Sequence, residues 1–454
     1  MTNLVLLLNG GLMAVMTLVE FLHFRQVRRF TFLSASHGLI AIGYCVPAFL
    51  LAWLPGTRLA TGPWGPADTT PWGTRLYILD LADSLRLPDS AYLTTAIVLW
   101  GAYAMLAAVY FAARRLPVRS LSHHEPPARH LVLAGAVLGV LTVAAMAIYV
   151  SQFTGPGDFF KAGWQIRAGK RLVHWGFLQV LAELGLPAFL MLAAAALRVT
   201  GGARLALMAA TLLVWATELL RLIHTSGRLE LGTFLLIPLV AWAFVTPARR
   251  LATVVLVVTL AAGLFLASAP YDLFSTPATV LPRMAATVLT NLDKMILYVL
   301  KDFAFPYIAA AHTLTVVPDP IPFRYFVDIP LGAAYMLPNF TGVETLPPMI
   351  LSLHVKLLPW IPVDLFSFGY YSLGTVGVLI TFAAFGAVLA VFDGWLTFST
   401  GWLGQAFRAA WLFYLPFRLL YADPYASAQS GFGLITGTVV LLAVALLSRR
   451  RGGT

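Results

Sequence analysis

The chain reads as an all-α polytopic membrane protein, on three observations. Apolar residues fill 59% of the 454 positions and charged residues only 11%, a balance too oily for a soluble core. The apolar runs are about 20 residues long, the length a helix needs to cross a bilayer. They lack strict alternation, and in lipid every backbone N–H and C=O must pair internally, which leaves helices rather than a closed barrel. A mean hydropathy of +0.83 agrees.

Eleven runs qualify, with cores near 2–24, 31–54, 91–113, 130–150, 174–197, 204–223, 230–248, 251–269, 367–392, 402–420 and 430–448. The first has no basic leader and no small-residue cleavage site, so it reads as a retained span. Placing Arg449, Arg450 and Arg451 in the cytoplasm and alternating backwards puts Arg25, Arg28, Arg29, Arg114, Arg115, Arg119, Arg129, Arg198, Arg204, Arg249 and Arg250 on the same side. Only Glu125 and Asp393 accompany them. That asymmetry in short connections orients the chain. The formal charge of +11 brackets the spans and builds no solvated basic domain, which excludes a nucleic-acid-binding module. The single cysteine, Cys45, lies in an apolar run. It excludes an intrachain disulfide and a cysteine-based metal site.

The opposite face carries three loops, 55–90, 151–173 and about 270–366. The last contains an amphipathic pattern over 281–302. The whole reads as a single membrane domain, 1–454. Cationic side chains held there suit an anionic group at a lipid headgroup. Thr225-Ser226-Gly227-Arg228 forms a very short connection between two spans. An arginine beside a helix N-terminus builds an anion site, because guanidinium and free backbone N–H groups converge. The bland alternative is an interfacial anchor. Arg167, Lys170 and Arg171 precede the fifth span, and Arg167 and Arg171 share a face if the segment is helical. They suit either a bound anion or a basic rim on anionic lipid. Glu20, Glu183, Glu218 and Arg221 fall within spans. Such residues default to function, although Glu218 and Arg221, three apart, also suit a structural pair. In the long loop Arg324, Asp328, Glu344, His354 and Lys356 stand out. His354 is the candidate general base because imidazole titrates near neutrality. Glu344 and Asp328 compete for that role, and a packed His354 is the alternative. No HExxH, CxxC, P-loop, GxSxG or dinucleotide fingerprint occurs, so no metal or nucleotide cofactor is implied.

Two stretches carry a resemblance. SGRLELGTFLLIPLV (226–240) resembles the Ser-Gly-(Ser)-Arg turn and leucine-rich span of the O-antigen polymerases, the Wzy family, and of the related O-antigen ligases. FGYYSLGTVGVLITFAAFGAVLAVF (368–392), after PWIPVDLFS, is similar to the aromatic-x-x-Gly-x-x-Gly span that follows the longest periplasmic loop in oligosaccharide repeat-unit polymerases. The resemblance implies a GT-C-type membrane glycosyltransferase in the bacterial inner membrane with its site facing the periplasm. It would join undecaprenyl-diphosphate-linked oligosaccharide repeat units without metal, arginines stabilising the diphosphate leaving group. A chain-length co-polymerase is the implied partner. Arg228 matches the family's turn arginine. Arg167, Lys170 and Arg171 fall where its other basic loop lies. Arg221 to Gly232 repeats its Arg-to-Gly spacing, and Arg324 is placed by position in the long loop. The family pattern singles out no base.

Three other readings stand beside this one. An O-antigen ligase would carry His next to Asn in the large loop, whereas Val355 follows His354. A metal-dependent transferase using a polyprenyl monophosphate would need a tight acidic pair in the first outer loop, where Asp80 and Asp83 are the acids present. A transporter or flippase would show inverted repeats and broken helices near the midplane.

Overall fold

A computed structural model describes residues 3–56, 82–116, 126–167, 173, 175–225, 228–245, 303–335, 363–396 and 401–452. Among them the secondary structure is helical throughout, and eight helices are long and apolar enough to cross a membrane. These residues form two compact units. One comprises Met1–Val118, Thr287–Gly394 and Tyr414–Ala428. The other comprises Arg119–Ala286, Trp395–Phe413 and Gln429–Thr454. The expected eighth span (251–269) and the amphipathic pattern at 281–302 lie outside the described residues.

The first unit is built on α1 (Asn3–Val27), α2 (Phe32–Trp53) and α3 (Asp89–Ala113). Thr31 starts α2 with a capping box, its side chain accepting from the Ser34 N–H while Ser34 accepts from the Thr31 N–H. Asp393 adds a second cap. Its carboxylate accepts from the Phe32 N–H at 3.2 Å and from the Tyr110 hydroxyl at 2.6 Å. Glu20, in α1, accepts from the Ser34 hydroxyl (2.6 Å) and pairs with His37 Nδ1 (2.9 Å). Apolar packing then closes around Val5, Ala48, Ala91, Tyr92, Tyr307 and Ala311, with Tyr307 supplied by α10 (Phe305–Val316). Midway along α2, residues Ala41–Cys45 form a π-turn. It places the Tyr44 hydroxyl 2.7 Å from Asp364.

Asp364 is fully buried and caps α12 (Leu365–Leu396), accepting from the Phe366 and Ser367 N–H groups and from the Ser367 hydroxyl. Burial pushes its carboxyl up to about 6, against the downward pull of Ser367 and Tyr44. The folded chain therefore holds more protons than the unfolded one between about pH 4 and 6. Stability falls as pH rises across that window, by at most ~1.4 kcal/mol per pH unit. Asp364→Asn, which still caps, should flatten the dependence. Unfolding midpoints of both proteins across pH 4–7 in detergent check this.

The α12 stretch is not one straight span, which revises the expected 367–392 helix. Leu373 (φ −155°, ψ 34°) and Gly374 (φ 61°, ψ −150°) interrupt it, the latter in a region almost exclusive to glycine. In a continuous helix residues eight apart are separated by about 12 Å. Here the backbones of Gly369 and Gly377 touch. A methyl on Gly377 would overlap the Gly369 carbonyl, and one on Gly369 would sit 2.8 Å from the Gly377 carbonyl. The limb before the turn therefore folds back onto the limb after it, and the second limb, about 33 Å long by helical rise, is the part that can cross a bilayer. The turn is held by main-chain bonds from Arg324 N–H to the Tyr371 carbonyl (2.9 Å) and from Tyr325 N–H to the Ser372 carbonyl (2.8 Å). Gly377→Val should cost about 1–3 kcal/mol through overpacking. Gly38→Ala, where an added methyl meets nothing within 4 Å, should be neutral or better. Unfolding midpoints of the two variants make the comparison.

The second unit holds α4 (Ala128–Val150), α5 (Pro156–Arg167), α6 (Phe177–Ala182), α7 (Gly185–Ala196), α8 (Gly202–Thr225) and α9 (Arg228–Val245). It also takes in α13 (Trp402–Tyr414) and most of α14 (Pro424–Gly452). Gly135 and Gly139 bring α4 close to α7 and α8, since added methyls would lie 2.9 Å from Leu192 and from Val214. The expected fifth span is the stretch Phe177–Ala196, which tightens to a 3-10-type turn at Glu183–Leu184, between α6 and α7, where the N–H groups bond three residues back. The expected tenth, 402–420, forms α13 and a 3-10 turn at Pro416–Leu419. At 13 residues α13 is shorter than a crossing requires. The eleven-run count therefore treats two different things alike, apolar sequence and membrane-crossing helix.

Candidate functional site in the second unit

The loop expected over 151–173 contains a helix, α5. Its signals are Pro156 at the start and Asp158 in the first turn, where a negative charge meets the free N–H groups and the positive end of the helix. This helix lies against the last turn of α8. A methyl at Gly163 would overlap the His224 carbonyl, so glycine is what lets the two backbones meet. His224 is buried at the same contact. Its ring stacks on Phe159, with centroids 4.1 Å apart and planes 19° apart. Its Nδ1 is 2.9 Å from the Phe159 carbonyl. A carbonyl can only accept, so Nδ1 carries the proton, and in the neutral ring Nε2 accepts from the Tyr149 hydroxyl at 3.0 Å. The Tyr149 oxygen in turn accepts from Gln179 Nε2 at 2.7 Å. One histidine thus joins α4, α5, α6 and α8.

The consequence concerns the arginines. Arg167 ends α5, four residues beyond Gly163, and Arg228 opens α9, four residues beyond His224. Four helical residues rise about 6 Å, and four residues of any chain reach at most about 14 Å. Both arginine positions therefore leave one backbone contact at short range. Arg228 is the first residue of α9, where backbone N–H groups have no intrahelical partner. The Thr225 hydroxyl donates to the Leu222 carbonyl at 3.2 Å.

One turn deeper along α8, Arg221 is buried between two carboxylates. Nε and Nη2 bond Glu218 at 3.0 and 2.7 Å, and Nη1 reaches Glu183 at 3.5 Å. The side chains of Arg221, Glu218 and Glu183 are 7%, 3% and 11% exposed. The expected Glu218–Arg221 pair thus forms, and Glu183, at the turn between α6 and α7, makes it a triad. Gly185 and Gly433 allow the approach. A methyl at Gly185 would sit 2.9 Å from Glu218 Oε2, and one at Gly433 would overlap the Glu183 carbonyl.

Arg324 belongs to the first unit. Its Nε and Nη2 grip Asp328, the start of α11 (Asp328–Tyr335), at 2.8 and 2.6 Å. That bonding holds the guanidinium above its ordinary value. Asp423, which caps Ala426 at 2.7 Å, faces the same carboxylate, and burial holds its own carboxyl up. Lys170, Arg171, Glu344, His354 and Lys356 lie outside the described residues. Sequence reasoning missed Tyr149, Phe159, Gly163, Gln179 and His224. The available signal was spacing, since His224 stands three residues from Arg221 and four from Arg228, and Gly163 four from Arg167. Among the described residues no group of three or more His, Cys, Asp and Glu is arranged to hold a metal ion. No protein-family model, curated protein or solved structure matches the chain.

Proposed function

We propose that this multi-pass membrane protein is a GT-C-type glycosyltransferase. It polymerises undecaprenyl-diphosphate-linked oligosaccharide repeat units on the periplasmic face of the bacterial inner membrane. The observation that carries the reading is the Gly163–His224 contact, because it starts the Arg167 and Arg228 segments from one point. The resemblance of 226–240 and 368–392 to repeat-unit polymerases supports it from the sequence side.

In this reading a hydroxyl oxygen of the incoming lipid-linked unit attacks the anomeric carbon at the reducing end of the growing glycan. The carbon–oxygen bond to the diphosphate breaks, the electron pair stays on the diphosphate oxygen, and the hydroxyl proton is released. Negative charge grows on the leaving group, where preorganised guanidinium donors have most effect. Arg228 and Arg167 take that charge, with Lys170 and Arg171 from the same segment. Arg221 holds the two carboxylates beneath them. The acceptor's base comes from the long loop, where His354 and Glu344 remain the candidates. A chain-length co-polymerase is the expected partner.

One observation favours a second reading, a transporter: a buried ionisable triad sits within the apolar spans. The surface-polysaccharide ladder of a deletion strain decides. Complementation that restores a ladder where the deletion leaves only single-unit product supports the polymerase. Full-length polymer left unattached to its acceptor points to a ligase, and an unchanged glycan points to the transporter.

A further inference from the structure

We propose that His224 is the positioning residue of the diphosphate site, setting the separation of Arg167 and Arg228 without touching the substrate. The inference rests on the polymerase reading of that site and adds a residue to it. His224 is buried, and both ring nitrogens are engaged within the protein, by the Phe159 carbonyl and the Tyr149 hydroxyl. Neither nitrogen is left for proton transfer to a substrate.

What the ring does instead is fasten α5 to α8. The stack on Phe159 and the Nδ1 bond hold the middle of α5, and the absent Gly163 side chain lets the His224 carbonyl lie against the helix one turn before Arg167. The Nε2 bond, through Tyr149 and Gln179, ties the same ring to α4 and α6. Two guanidinium groups act on one diphosphate only if their backbones are held at a fixed distance. Displacement of about 1 Å is enough to cost a positioned site about 10²-fold. One turn earlier along α8, Arg221 is committed to Glu218 and Glu183.

The test is a double-mutant cycle on the purified full-length protein, titrated with inorganic pyrophosphate. The variants are His224→Phe, Arg228→Ala and the two combined, with Tyr149→Phe as a milder lesion that removes one hydroxyl. Unfolding midpoints are recorded alongside. His224→Phe should weaken binding about 10-fold, and Tyr149→Phe less. In the Arg228→Ala background His224→Phe should not weaken it much further, because a positioning residue acts through the arginine it positions. Independent, multiplying losses would show a merely structural histidine and overturn the inference while leaving the arginine site intact. Binding at wild-type strength in His224→Phe would do the same. If Arg228→Ala itself binds pyrophosphate as tightly as wild type, the site reading and this inference both fall.

Discussion

Arg228→Ala should leave cells with single-unit product in place of a polymer ladder, at unchanged protein level in the membrane. The expected loss is at least 10²-fold in elongation rate, about 3 kcal/mol of transition-state stabilisation, the scale seen when one preorganised donor to a developing oxyanion is removed. The substitution spares the fold because Arg228 opens a helix, where alanine is well tolerated. Arg228→Lys should recover only part of the rate, since a point charge replaces a planar fork that binds a diphosphate through two parallel bonds. Quantitative band intensities from strains expressing each variant read both effects.

Arg221→Ala should fail differently. Removing the guanidinium leaves Glu218 and Glu183 buried without a cation, and breaking one partner out of a buried ionic set typically costs about 3–5 kcal/mol. Glu218 lies seven helical steps, about 10 Å, before the end of α8 at Thr225, so the orphaned charges would sit within an apolar span. The variant should therefore accumulate poorly and unfold early. Replacing all three by apolar residues of similar volume should restore much of the stability. Fluorescence-detected size exclusion and unfolding midpoints distinguish this from the Arg228 phenotype, where the protein is intact and inactive. Equal stability of Arg221→Ala and wild type would contradict the triad.

The helical class and most span positions were legible because hydrophobic length and polar breaks report directly on what lipid tolerates. The expected 91–113 run, for example, is the helix Asp89–Ala113. Apolar periodicity does not, however, distinguish a straight helix from two limbs folded together. The turn at Gly374 is set by contacts among Gly369, Gly377 and Thr381, and those glycines were visible only as a motif. The tightened turn at Glu183 was hidden for a similar reason: α6 and α7 read as one apolar run, and the turn is tied to packing against Gly433 and Arg221. At the candidate site the charges were legible and their scaffold was not. Glu218 and Arg221 announced themselves by spacing. Glu183 joins them from a segment 35 residues earlier, which no local pattern connects. His224 is one of nine histidines scattered through the sequence, and nothing local marks it, since its contacts come from α5, a helix within the expected 151–173 loop.

The most direct measurement is elongation by the purified protein in liposomes supplied with undecaprenyl-diphosphate-linked repeat unit alone. Glycan chains of increasing length are expected, with one undecaprenyl diphosphate released per linkage, and no elongation by Arg228→Ala. Lipid-linked units that stay single, or cross the bilayer without a new glycosidic bond, would contradict the polymerase reading.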